Sequence, residues 1–194
     1  MPAPSLALSR PDPISRLRYW MAGLVLSILT LWALPGQAVQ IKDFDGTYSG
    51  RAKVEDAAGE MSVRDLTVEI ASRGDSFTLT WTTVSYRLDG RVKESSYTID
   101  FVPSERDSVF AAAMGKNVFG HSVQLDPMKG DPYVWGHLDG ATLTVYSMFI
   151  GDHGGYEIQE YRRTLVEGGL ELELKRFRNG TQLKTVEAFL ARQN

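Results

Sequence analysis

From residue 46 almost to the C-terminus, apolar and polar side chains alternate in single steps, broken only by short turns. Tyr48, Gly50, Ala52 and Val54 are interleaved with Ser49, Arg51, Lys53 and Glu55, and Phe77, Leu79 and Trp81 with Thr78, Thr80 and Thr82. The second half repeats this: Leu143, Val145, Ser147 and Phe149 alternate with Thr144, Tyr146 and Met148, and Leu170, Leu172 and Leu174 with Glu171, Glu173 and Lys175. A period of two places one set of side chains on one face of a strand and the other set on the opposite face. Asp89-Gly90, Asp139-Gly140 and Asn179-Gly180 separate such runs, and these dipeptides accept the positive φ of tight hairpin turns. Asn179-Gly180-Thr181 therefore reads as a turn rather than as a glycosylation acceptor. Successive hairpins give an up-and-down meander, and no helical period long enough for a βαβ unit interrupts it. A meander of eight to ten strands removes its exposed edges by closing on itself. The expected fold is all-β: a single up-and-down antiparallel barrel spanning residues 39–194.

Three irregularities interrupt the pattern. The large side chains change phase after Thr82-Thr83, where Val84 and Tyr86 come next, and a bulge is expected there. A similar slip is expected near Thr185. Residues 103–132 form one long irregular connection punctuated by Pro103, Gly115, Gly120, Pro127, Gly130 and Pro132, with Val109 to Met114 as strand or helical turn. A connection of this length suits a functional loop, or an excursion that caps one end of the barrel.

Residues 1–38 read differently. Arg10, Arg16 and Arg18 precede an uncharged stretch from Tyr19 to Leu34, and Pro35-Gly36-Gln37-Ala38 offers a small-residue cleavage site. This is the pattern of a secretory signal peptide cut after Ala38; a retained anchor is the alternative, although the stretch is shorter than the roughly 20 residues of a comfortable span. A periplasmic or secreted location follows. Setting aside this segment, with its three arginines and Asp12, leaves 156 of the 194 residues, a normal size for one core, with 18 basic and 23 acidic side chains against 21 and 24 in the whole chain. That mildly acidic balance gives no reason to expect nucleic acid as a partner, and no later run is apolar enough to span a membrane as a helix. The chain has no cysteine, so packing alone must stabilise it.

The opening of the first strand, Phe44-Asp45-Gly46-Thr47-Tyr48, resembles the G-x-W start of the lipocalin and calycin barrels, with Tyr48 at the tryptophan position. In those barrels a basic residue near the C-terminus covers the tryptophan, and Arg176, Arg178 and Arg192 are available here. The resemblance implies a central cavity that holds a small apolar ligand.

Candidate chemistry is sparse. His121, His137 and His153 recur every 16 residues, a spacing that a meander could gather into a metal or haem site, but the close ligand pairs typical of metal sites are missing. Neither a cofactor nor a metal is expected. The segment Asp126 to His137 is the most distinctive, because Tyr133, Trp135 and His137 fall on one strand face and offer aromatic contact with polar tips. They either line the mouth of a pocket or fill the barrel. If Glu160 shared an inward face with Tyr156 and Ile158, it would be a buried carboxylate suited to acid-base chemistry. There is no G-x-S-x-G and no glycine-rich strand-to-helix junction, so no catalytic residue is assigned. The reading that follows is a non-catalytic barrel binding a small apolar or amphipathic molecule, with Tyr133, Trp135 and His137 at the mouth and Trp81 and Phe149 inside. Two alternatives stand beside it: an enzyme working in the cavity, and an envelope protein-interaction module with a filled core.

Overall fold

The computed structural model describes residues 39–55, 61–86, 89–116 and 122–194; the expected signal segment lies outside them. The described chain forms β1 (Gly46–Glu55), β2 (Met61–Arg73), β3 (Ser76–Tyr86), β4 (Val92–Pro103), β5 (Val109–Ala112), β6 (Gly115–Lys116), β7 (Ser122–Val123), β8 (Tyr133–Asp139), β9 (Thr142–Ile150), β10 (Tyr156–Val166), β11 (Gly169–Arg178) and β12 (Thr181–Arg192). Ten strands close into an antiparallel barrel in the order β1-β12-β11-β10-β9-β8-β5-β4-β3-β2, while β6 and β7 pair only with each other. The expected up-and-down barrel is therefore the fold observed. Turn chemistry accounts for the hairpins: Asn179 and Gly180, between β11 and β12, both have positive φ, at 48° and 82°, which matches the right-handed twist of the flanking strands.

The barrel closes at a seam of three residue pairs, Tyr48↔Arg192, Ser49↔Ala191 and Gly50↔Leu190. A Cβ on Gly50 would lie 2.2 Å from the Phe189 carbonyl oxygen, so only glycine lets the first and last strands approach this closely. One end of the barrel is plugged. A 3-10 turn, Ile41–Phe44, lies across it and buries both terminal residues. The Tyr48 hydroxyl donates to the Phe44 carbonyl at 2.8 Å. Arg192 Nη2 donates to the Tyr48 oxygen at 2.6 Å and to the Asp43 carbonyl at 3.1 Å, with its guanidinium over the Tyr48 ring at 5.1 Å. Of the three arginines near the C-terminus, Arg192 is thus the one that covers the first-strand aromatic. Above the plug, Phe77 stacks on Phe101 at 4.8 Å and meets Phe110 edge-on at 5.1 Å. Ile70, Leu79, Leu143, Leu170 and Leu190 complete this filled half.

The expected phase change at Thr82-Thr83 does not occur. Residues 76–85 of β3 pair in unbroken register with β2 and continue so with β4. On the outer face, Thr80 is bonded to Thr98 and Thr82 to Ser96, each at 2.9 Å. Thr83 and Ser85 therefore keep facing inward, and Val84 and Tyr86 outward. The pattern reverses because the interior itself becomes polar toward that end, not because the strand rotates. The second slip is present: β12 bulges where Arg176 pairs with Lys184 and Phe177 with Gln182, leaving Leu183 as the extra residue. Within the long connection, Val109–Ala112 is strand and supplies a barrel stave.

Candidate ligand site

The two halves of the barrel differ because β5 is short. It pairs with β4 only at Phe101, Val102 and Pro103, so the stretch of β4 from Val92 toward Ile99 has no ladder on that side among the described residues. Inside this half lies a cavity of about 730 Å³, open among the described residues at the end opposite the plug, within the range of small-molecule sites. Its wall is apolar at depth, with Val68, Leu66, Trp81, Leu172, Leu174 and Val186, and polar toward the rim, with Ser62, Ser85, Lys93 and Ser95. Trp81 stacks on Tyr97 at 5.4 Å and lies 6.0 Å from Tyr161, so aromatic faces from three strands border one space. Tyr97 remains 57% exposed, as expected beside an incomplete wall. The expected alternative of a filled core is corrected here: packing fills only the plugged half.

One charge sits deep in this wall. Arg163, on the inward face of β10 between Tyr161 and Leu165, is 1% exposed. Its guanidinium lies 5.9 Å from the centre of the Trp81 ring and 5.6 Å from that of Tyr161. Burial draws its pKa down to about 10, with Tyr161 opposing the change, so it remains a cation at neutral pH. Burial also pushes the Tyr161 phenol up; that hydroxyl donates to Gln159 Oε1 at 2.8 Å. Further toward the open end, Gln159 donates to Glu157 at 3.0 Å. Arg176 grips the Glu157 carboxylate through Nε and Nη2 at 2.6 and 2.8 Å, and Arg178 adds a bond at 3.1 Å. Chiefly because of Arg176, the Glu157 pKa falls to about 2. The inward face of β10 thus carries a polar chain from the rim to Tyr161, and Arg163 stands beyond it.

The structure separates the residues singled out in the sequence. Trp81 lines the cavity. Phe149 borders a second, shallower depression of about 470 Å³ at the same end, with Tyr156, Glu157 and His153. Tyr133, Trp135 and His137 do share a face, but it is the outer one; Val134 and Gly136 are the buried residues of β8. Trp135 stacks on Tyr146 at 4.9 Å and Tyr133 lies 5.8 Å from Trp135, in an outer groove with Val109, Ala111 and Met148. Placing this trio at the cavity mouth is therefore corrected: Val134 and Leu138 supply the apolar phase that packs inward, and the larger aromatics pair across β8 and β9 outside. Glu160 likewise faces outward, opposite Tyr146 and 3.5 Å from Arg162, so the cavity holds no carboxylate from that position. His137 and His153 lie at different places, on the outer face and in the β9–β10 loop, and His121 is outside the described residues. No group of three metal-ligating side chains comes together among the described residues. Arg163 is not among the ligand-binding residues expected from the sequence, although its signal is legible there: an arginine in the same strand phase as Tyr161 and Leu165.

No family model matches the chain, and no curated protein sequence matches it. Among solved structures, it is similar to the S-type phycobiliprotein lyase CPES from Guillardia theta, at 9% identity and a TM-score of 0.35, covering 79% of this chain and 90% of that one. Nothing about the ligand of this chain follows from a similarity so distant.

Proposed function

We propose that this chain is an exported, non-catalytic binding protein that takes a small amphipathic molecule into the open half of its barrel. The observation that carries this reading is the 730 Å³ cavity bordered by Trp81, Tyr97 and Tyr161 beside a half that is packed solid. A barrel that needed only to be stable would fill both halves, because each buried apolar side chain contributes roughly 1.5–3 kcal/mol. The graded wall, apolar at depth and polar at the rim, suits a ligand with two unlike parts. Against catalysis stands the state of the acidic groups near the cavity: Glu157 is held ionised by Arg176 and Arg178, Glu160 points outward, and Asp89 at the rim is paired with Arg91. Residues 1–38 are assigned as the signal for export, on their basic start, apolar stretch and small-residue exit.

The test uses the uncharged dye N-phenyl-1-naphthylamine with the purified full-length protein. Native protein is expected to enhance dye emission in a saturable way, and Leu66→Trp, which fills the cavity, to abolish the enhancement while the fold is retained by circular dichroism. Unchanged enhancement in a folded Leu66→Trp protein would place the dye elsewhere and overturn the reading. N-terminal sequencing of exported protein is expected to begin near Val39; an intact Met1 in a membrane fraction would overturn the export assignment.

A further inference from the structure

The barrel buries a charge that its own structure does not use. Arg163 Nε and Nη1 are both buried without a hydrogen-bond partner. Among the described residues, the ion pairs give Arg163 no carboxylate. The nearest carboxylate on its own strand face, Glu157, is committed to Arg176 and Arg178, and the Tyr161 hydroxyl to Gln159. Among the described residues, the ring faces of Trp81 and Tyr161 are what the protein offers the cation, and buried charges are ordinarily paired. A second arginine repeats the pattern, since Arg64 Nε is also buried without a partner and Arg64 lines the same cavity. Arg64 pairs with Ser85, four residues nearer the open end than Trp81, which is about 13 Å along the strand. Two arginines with buried, unpartnered nitrogens therefore rise from two levels of one cavity wall, with Leu66, Leu174 and Val54 among the apolar residues lining it.

We propose that the ligand is an organic monoanion, a carboxylate on an apolar body, bound with its acid group innermost against Arg163 and its body along Trp81, Leu66 and Leu174. This rests on the cavity being a binding site for an amphipathic molecule and adds the charge and direction of that molecule. Burial holds the Arg163 pKa at about 10, so the cation is present throughout the neutral range. A single deep guanidinium balances a single negative charge; among the described residues, the other cations lining the cavity, Arg64 and Lys93, both stand on positions paired with Ser85, nearer the open end, where a second charge of a phosphate monoester would not reach them as directly. Arg64 then serves the mouth of the cavity.

The decisive comparison is between dodecanoate, dodecan-1-ol and dodecyl phosphate, each titrated into the full-length protein with tryptophan emission as the readout. Dodecanoate is expected to bind at least about thirty-fold more tightly than the alcohol, the scale of a buried charge-assisted pair, and more tightly than the phosphate. In Arg163→Met that preference should fall to threefold or less, with the alcohol still bound; in Arg64→Gln most of the preference should remain. Equal affinity for acid and alcohol in the native protein would overturn the anion inference and leave the cavity reading standing. Failure of all three probes to bind would overturn both. Stronger binding of the phosphate would overturn the monoanion, and loss of preference in Arg64→Gln but not in Arg163→Met would overturn the orientation. The native comparison decides the matter even if a variant fails to fold.

Discussion

Replacing Arg163 with methionine is expected to make the ligand-free barrel more stable, not less. Burial lowers the Arg163 pKa from its ordinary value to about 10; at 1.36 kcal/mol per unit, that drop opposes folding of the charged form by about 3 kcal/mol. Contacts with the Trp81 and Tyr161 rings return between about 0.5 and 2 kcal/mol, which does not cover the loss. Methionine has a flexible apolar chain able to occupy the space of the arginine stem. A net gain of about 1–3 kcal/mol should follow, in line with other replacements of buried charge by apolar side chains. The sign also depends on pH. Below about pH 10 the guanidinium is protonated in both states and the full penalty applies. Above about pH 10 the native chain releases a proton that the unfolded one still holds, so native stability rises and the advantage of the variant shrinks. Urea unfolding of delipidated full-length protein at pH 7.5, followed by tryptophan emission, gives the comparison. A variant less stable than the parent by 1 kcal/mol or more would refute the reasoning, because it would mean that Arg163 holds the fold together through interactions the burial argument omits.

Other consequences follow from particular contacts. Because the Glu157 pKa is lowered to about 2, chiefly by Arg176, its contribution is complete above about pH 4.5 and lost as pH falls toward 2. Glu157→Gln should therefore flatten acid unfolding in that window, by roughly 1 kcal/mol since both arginine partners are solvent-accessible; equally steep acid curves would count against it. Gly50→Ala places a methyl 2.2 Å from the Phe189 carbonyl oxygen and should lower stability by about 1–3 kcal/mol, read as a fall in Tm, with an unchanged Tm showing that the seam can yield. Trp135→Ala should leave binding of N-phenyl-1-naphthylamine unaltered, since its ring lies in the outer groove, whereas Trp81→Ala should weaken it; the reverse order would return the site to the outer face.

Strand number, connectivity and turns were legible because each depends on neighbours in sequence. Alternation at 170–175, or Asn179 followed by Gly180, carries its structural meaning locally. The sequence also offered Arg192 as one of three candidates to cover Tyr48, but only ring stacking across the closed barrel distinguishes it from Arg176 and Arg178, which turn to Glu157 instead. Misplacement of Tyr133, Trp135 and His137 has a simple cause. Period two sorts residues into two faces but does not say which face is inside, and large aromatics suit a ligand site as readily as an outer cross-strand stack. Val134, Gly136 and Leu138 are the smaller set, and they fit the packed interior beside Phe101 and Phe110.

The apparent phase change at Thr83 teaches the same lesson in reverse. Read alone, a polar residue in the apolar phase looks like a rotated strand; in the closed barrel it is an inward residue facing a space that no described side chain fills. By itself, the amino-acid sequence determined an all-antiparallel barrel, since alternation and turn chemistry act over a few residues. Whether that barrel would be solid or hollow, and which side chains would face the hollow, was decided only when β5 ended after four residues and the 3-10 turn plugged the opposite end. Cavities arise from the distances between staves that are remote in sequence, and the buried cation at Arg163 has its meaning only from which described side chains those other strands place beside it.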